Sequence, residues 1–379
     1  MNYTARVKKF SDRISEDLDL VYLPISADMQ YLTGIPREMP TFGAMIYPGM
    51  WVEGAWLAPG KEPIIALPRM TATFHGLSDF DADVRVLPDE GDPTAFVKDI
   101  MLALGVDGDP RIGLGKKATA QTVTALQSIF SGATFVDATP ILMEQRQIKG
   151  EDEIAVMREA GQVTIKAFEA VVAQLKHGMT EQEIVSEVNH QLTKHGAIGP
   201  SFTTSMYNSG PEHALVFGKQ DERWHRPLDP PVALLFDFGA AFHGYSYDFG
   251  RTVFFGEPSA EFRTIYDTVM ASQAAGIEAL RAGRTGSEVD QIARSVIKEA
   301  GYGEMFRHRL GHAIGLDVHE PPFLAPGDER EILAGMLFTV EPSIMQFDSF
   351  SARVEDIVLC TPDGGEPLTS EHRDLKIID

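Results

Sequence analysis

The stretch VALLFDFGAAFHGYSYDFGRTVFF, residues 232–255, carries the reading of the fold. Two runs rich in apolar and aromatic residues, Val232–Phe238 and Tyr245–Phe255, flank the segment Gly239–Gly244. The pattern predicts an antiparallel hairpin. Each run nevertheless holds an aspartate, Asp237 in LLFDFG and Asp248 in YSYDFGRT. Aspartate is depleted in strands and costly to bury unless a partner neutralises it. Such an isolated aspartate usually caps a turn or meets an arginine, and Arg251 could play that part for one of them.

The same oddity recurs downstream. Leu337–Val340 runs into Glu341, and Ala352–Leu359 carries Glu355 beside Asp356. Before them comes Gly311-His312-Ala313-Ile314-Gly315, with His319 seven residues after His312. Several bare carboxylates in one apolar cleft would have to take up protons or find cations. Two divalent ions balance four carboxylates and let a bridging hydroxide form near neutral pH. Oxygen-rich ligation with one imidazole suits Mn²⁺, Co²⁺, Fe²⁺ or Zn²⁺.

Working outward, two segments share the pattern Gly-x-Thr-x-x-Glu-aliphatic: Gly178, Thr180, Glu183 and Ile184, then Gly283, Thr285, Glu288 and Val289. Each threonine is placed to cap a helix, with the glutamate reaching back to the cap. Either capping boxes have recurred by chance or the C-terminal part is two related helix-plus-sheet halves about a pseudo-twofold. A long helix is expected from Glu151 to about Lys176. Residues 1–145 read as an α/β domain. Its expected strands are Val21–Ile25, Ala44–Tyr47, Ile64–Leu67, Val84–Leu87 and Arg111–Leu114, with helices at Thr94–Leu104 and Thr119–Phe130. Residues 146–379 are then expected to form a second domain that carries the carboxylate-bearing strands.

Composition narrows the class. The chain has 379 residues, 33 basic against 55 acidic, for a net charge of −22. Such a charge repels nucleic acid and anionic lipid. Runs such as Val232–Phe236 fall far short of the ~20 residues of a membrane helix. One cysteine, Cys360, excludes an intramolecular disulfide and a zinc–thiolate cluster. The N-terminus shows basic residues with no apolar stretch behind them, so a cytoplasmic location is expected.

These residues resemble the pita-bread metallohydrolase family of prolidase, aminopeptidase P, methionine aminopeptidase and creatinase. Tyr31-Leu32-Thr33-Gly34 is similar to the Y-L-T-G of the creatinase/prolidase N-terminal domain. Arg146-Gln147-Ile148-Lys149 with Glu153-Ile154 is similar to the junction that opens the catalytic domain. The separations of 11 residues from Asp237 to Asp248, 29 from His312 to Glu341 and 14 from Glu341 to Glu355 fit prolidases. His308-Arg309-x-Gly311-His312 and Arg353-Val354-Glu355-Asp356 match as well. The resemblance implies an α/β N-terminal domain and an α+β pita-bread catalytic domain. It implies Asp237 on the first ion, Asp248 and Glu355 bridging, and His312 and Glu341 on the second. Glu341 would double as proton shuttle, His319 would hydrogen-bond the substrate or tetrahedral intermediate, and Arg353 would orient Glu355 or meet a substrate carboxylate. It further implies a homodimer and Xaa-Pro peptidase activity, as dipeptidase or aminopeptidase.

One departure bears on substrate. Prolidases carry a second substrate-side histidine in a stretch like S-G-x-x-x-A-x-P-H-G. Here Ser209–Gly218 places Phe217 in the histidine's position. His213 or His225 is a candidate replacement, or each is a surface residue. Phe202, Tyr207, Phe217 and Trp224 would line a more apolar or cation-binding pocket, or belong to the core. The alternatives to a peptidase are a hydrolase or lyase of an ectoine-, creatine- or dimethylsulfoniopropionate-like compound, and a non-catalytic peptide-binding module.

Overall fold

The chain divides into two units, Met1–Arg146 and Gln147–Asp379. The computed structural model describes residues 1–37, 49–74, 82–215, 220–369 and 371–378.

Among the described residues of the first unit, six strands form a mixed sheet. Their order is Asp83–Leu87, Ile64–Pro68, Gly54–Leu57, Leu20–Pro24, Arg111–Leu114 and Thr134–Asp137. The pairs on either outer side are parallel and the central ones antiparallel. The expected strand Ala44–Tyr47 lies outside the described residues. Two strands escape the apolar-run criterion for physical reasons. Gly54–Leu57 is a four-residue run that opens on glycine, and Thr134–Asp137 is an edge strand with mostly exposed side chains. Helices Pro93–Leu104 and Ala120–Ile129 lie within a residue of expectation. A buried ion pair, Arg146 Nη1 to Asp28 Oδ1 at 2.5 Å, ties the unit's last residue to its helix Ala27–Thr33.

The second unit opens with helix Glu151–Val172, shorter at its C-terminal end than expected. Helix Glu181–Lys194 follows it, and Ala260–Ala279 is likewise followed by Gly286–Glu299. Both capping boxes are formed, with Thr180 N–H donating to Glu183 at 2.8 Å and Thr285 N–H to Glu288 at 2.9 Å. Each 14-residue helix packs against the longer helix before it.

Each helix pair precedes an antiparallel arrangement of strands. In the first half Ser205–Ser209, Val232–Phe238 and Phe249–Phe255 lie side by side, and Lys376–Ile378 adds in parallel at the edge. In the second, the order is Glu320–Leu324, Gly311–Ala313, Leu337–Val340, Asp356–Cys360 and Gly365–Pro367. The expected hairpin is present, with Phe238 opposite Phe249 and Val232 opposite Phe255. Its tip departs from the pattern. Ala240–Phe242 and Tyr245–Ser246 form their own small ladder, and Asp248 falls in the break before Phe249. Gly239 makes this crossing possible: a Cβ there would lie 1.8 Å from the Tyr247 carbonyl oxygen.

Candidate metal centre

Backbone pairing first brings the carboxylates together. Asp237 faces Gly250 across the hairpin. Gly250 in turn bridges to Glu355 of the other half, with Glu355 N–H donating to Gly250 O at 2.9 Å. Glycine is required at this point of contact. A Cβ on Gly250 would lie 2.8 Å from Glu355 Oε2, so a larger residue would displace that carboxylate. His312 sits mid-strand in Gly311–Ala313, and Glu341 directly follows Leu337–Val340.

The result is a cavity of about 470 Å³ whose lining includes Asp237, Asp248, His312, Glu341 and Glu355. Ligand atoms of Asp248, His312 and Glu355 lie within 4.8 Å of one another. His312 Nε2 is 3.6 Å from Asp248 Oδ2 and 3.5 Å from Glu341 Oε1. Its Nδ1 lies 3.1 Å from the Ala313 carbonyl. A proton on Nδ1 satisfies that contact and leaves the Nε2 lone pair facing the carboxylates. Thr339 Oγ1 accepts from the His312 backbone N–H at 3.1 Å and donates to Glu341 Oε1 at 3.3 Å, tying the Glu341 carboxylate to the strand that carries His312.

The electrostatics are those of anions lacking cations. Burial, then repulsion from Asp237 and Glu341, pushes Asp248 well above the usual carboxylate range. Burial, then Asp248, does the same to Glu355. Glu341 is raised to about 7, chiefly by burial, with Arg353 opposing. Burial holds His312 down to about 3, so its imidazole is neutral at physiological pH. Asp248 Oδ1 and Glu355 Oε2 are buried and accept no hydrogen bond. Orphaned oxygens beside a neutral imidazole fit a hard or borderline divalent ion.

Arginine partners divide differently from expectation. Arg251 pairs with Asp356 at 2.6 Å and with neither hairpin aspartate. Arg353 takes that part, with Nη1 2.5 Å from Asp237 Oδ2 and 3.7 Å from Glu341 Oε2. Asp237 and Glu341 raise the Arg353 pKa despite the opposing effect of burial. His319 lines the same cavity, its ring centroid 4.2 Å from that of His312.

Neither candidate replacement histidine is among the lining residues. His213 is buried in a turn bridged to Gly210, its Nε2 3.4 Å from the Pro227 carbonyl, and it is not among the lining residues. Phe217 lies outside the described residues. His225 is exposed. Phe202 lines the cavity, whereas Tyr207 packs against the core.

Sequence reasoning passed over Ser205, His308 and Arg309 as lining residues. Ser205 is the Cα partner of Asp237, a register that no short motif encodes. His308 and Arg309 stand within the His-Arg-x-Gly-His motif and were legible as neighbours of a ligand. His308 Nε2 lies 2.5 Å from Ser343 Oγ and 3.3 Å from Arg353 Nη2.

Comparisons with known proteins identify the family and the fold. The family model of metallopeptidase family M24 matches residues 155–362, and that of the creatinase/prolidase N-terminal domain matches residues 6–148. A Xaa-Pro dipeptidase of Lactobacillus delbrueckii subsp. lactis is 30% identical over 368 residues, covering 95% of each chain. The crystal structure of a prolidase from Thermococcus sibiricus superposes with a TM-score of 0.88 at 26% identity, covering 100% of both chains. An X-Pro aminopeptidase from Thermotoga maritima gives 0.82 at 26% identity, covering 97% of this chain and 99% of that one. The chain belongs to metallopeptidase family M24, with the two-domain fold of its prolidases. It is therefore an enzyme of the metallopeptidase type and not a non-catalytic module.

Proposed function

We propose that this member of metallopeptidase family M24 is a dimetal Xaa-Pro peptidase, cleaving the bond before proline. The observation that carries the proposal is the cavity itself, where four carboxylates and a neutral imidazole converge and two buried oxygens have no donor. In this reading Asp237, Asp248, His312, Glu341 and Glu355 would hold two divalent ions. The ions would supply Lewis acidity toward the scissile carbonyl and lower the pKa of water.

The chain's own groups do the rest. Glu341, lining the cavity beside His312, would take the proton of the attacking water on its carboxylate and pass it to the leaving imino nitrogen. No described group hydrogen-bonds the His319 ring, and burial followed by Arg309 keeps its pKa low. A neutral His319 N–H is thus available to a developing oxyanion. Arg353 orients Asp237 through their 2.5 Å contact and lies between it and Glu341.

Manganese or cobalt is expected to support activity, with iron and zinc as the other fitting ions. Protein loaded with Mn²⁺ or Co²⁺ should bind about two ions per chain and hydrolyse Xaa-Pro dipeptides or longer Xaa-Pro peptides, and a chelator should stop it. Intact peptides throughout such a panel would overturn the proposal. Phe217, in place of the usual histidine, favours a second reading in which the substrate is a small non-peptide compound. Turnover of ectoine, creatine or dimethylsulfoniopropionate in the same screen would select it. A homodimer also belongs to the proposal, and sedimentation of the loaded protein tests it.

A further inference from the structure

We propose that Arg309 is the anchor for a free carboxylate on the substrate. The inference takes the cavity and its ions from the reading above, and it holds for either substrate class considered there.

Two arginines line the cavity, and their circumstances differ. Arg353 is already committed to Asp237, with Glu341 and His308 close by. Arg309 forms no ion pair with any described carboxylate. Its guanidinium instead lies over the ring of Phe323, 4.2 Å from the centroid. Phe323 is the Cα partner of His312 across the antiparallel ladder, and directly paired residues project to the same face of a sheet. The stacked guanidinium is thereby held beside the metal-binding histidine. Its charge is felt at His308, His312, His319 and Glu341, lowering the pKa of each.

Stacking engages the face of a guanidinium and leaves its in-plane N–H donors free. Those donors match a carboxylate in a bidentate pair. An anionic substrate entering a cavity with four carboxylates, on a chain of net charge −22, meets repulsion that an unpaired cation offsets. The same geometry selects among peptides. In an Xaa-Pro dipeptide the free carboxylate sits one residue beyond the scissile bond. In a longer peptide that position is a neutral amide, so Arg309 favours dipeptides. Ectoine, creatine and dimethylsulfoniopropionate each carry a carboxylate too.

The test compares wild type with Arg309→Met, which keeps an apolar chain over Phe323, and with Arg309→Lys, which keeps the charge. Calorimetric titration of the metal-loaded proteins with proline and with prolinamide reads binding alone. Kinetics on Ala-Pro and Ala-Pro-amide read turnover. Wild type is expected to prefer the free carboxylate in both assays. In Arg309→Met the preference ratio should fall roughly tenfold to a hundredfold, the scale of a charge-assisted pair, with partial recovery in Arg309→Lys. A purely structural role would lower thermal stability and weaken both ligands alike, leaving the ratio unchanged, and that result overturns the assignment. So does a failure of wild type to bind proline more tightly than prolinamide. If neither peptide is cleaved while the binding ratio still depends on Arg309, the peptidase reading fails and the anchor stands. If both are cleaved with a ratio indifferent to Arg309, the reverse holds.

Discussion

Glu355 and Asp356 are neighbours in sequence, equally buried, and opposite in circumstance. Asp356 receives Arg251 at 2.6 Å and Gln273 at 3.0 Å, and Arg373 lies 3.3 Å away. Glu355 shares the cavity with Asp237, Asp248 and Glu341, and its Oε2 meets no donor. Successive residues of an extended chain point to opposite faces, so one residue of separation places the two carboxylates in different environments. A buried acid surrounded by cations and amides holds a fold together. A group of buried acids short of such partners takes up protons or binds metal ions.

Replacing one acid on each face should break the comparison in opposite ways. If the proposed dimetal reading holds, Asp248→Asn removes a ligand and is expected to lower kcat/KM on the order of a thousandfold. Metal-free Asp248→Asn should be at least as stable as the metal-free wild type, because the amide needs neither a proton nor a cation to be buried there. Asp356→Asn should do the reverse. It leaves Arg251 buried without its counter-ion, which costs about 3–5 kcal/mol. Denaturant unfolding of both chelated variants, alongside kinetics of the loaded ones, checks the pair. Equal stability losses in the two would remove the distinction.

A pH series sharpens the same contrast with a smaller effect. In the metal-free protein Glu341 is raised from 4.5 to about 7, and Asp248 and Glu355 shift in the same direction. The folded state therefore holds these protons more tightly than the unfolded chain. The resulting stability is fully present below about pH 4.5 and is lost as pH rises through about 7. Below pH 6.5 His308 and His312, both held down to about 3 by burial, act in the opposite direction, so the melting temperature of chelated protein should fall most clearly between pH 6.5 and 8. Saturating Mn²⁺ should flatten that slope, because the ions replace the protons. A chelated protein with no such slope would mean that the carboxylates already have partners.

Much of this site was legible in the sequence because its oddities are local. An aspartate in LLFDFG or a glutamate at the end of LFTV contradicts the apolar run that holds it, and the contradiction is visible without a structure. Both threonine caps were legible for the same reason, since a capping box spans four residues. What was not legible depends on pairing between distant segments. Nothing local says that Arg251 serves Asp356 and Arg353 serves Asp237, because each arginine has a different carboxylate within three residues of it in sequence. The break at Asp248 follows from Gly239 crossing Tyr247, a contact between two strands. His213 looked available because it lies in the stretch where relatives keep a histidine, yet the turn with Gly210 directs it toward Pro227.

Gln273 offers the smallest and most discriminating test. Its Nε2 donates to Asp356 Oδ2 at 3.0 Å and to the Val340 carbonyl at 3.2 Å, so it touches both the satisfied acid and the residue preceding Glu341. Gln273→Met keeps a similar shape while deleting both donors. Loss of a hydrogen bond to a charged acceptor is worth about 1.5–3 kcal/mol, but Arg251 and Arg373 remain beside Asp356. The expected loss is accordingly at the lower end, about 1.5 kcal/mol, read from the denaturant midpoint. If the Asp356 network only braces the fold, kcat/KM should stay within roughly twofold of wild type. A larger fall in kcat at unchanged metal content would show that Gln273 also holds Glu341 in place through Val340. The two faces of the strand would then be mechanically joined, and the satisfied acid would be part of how the unsatisfied ones are aimed.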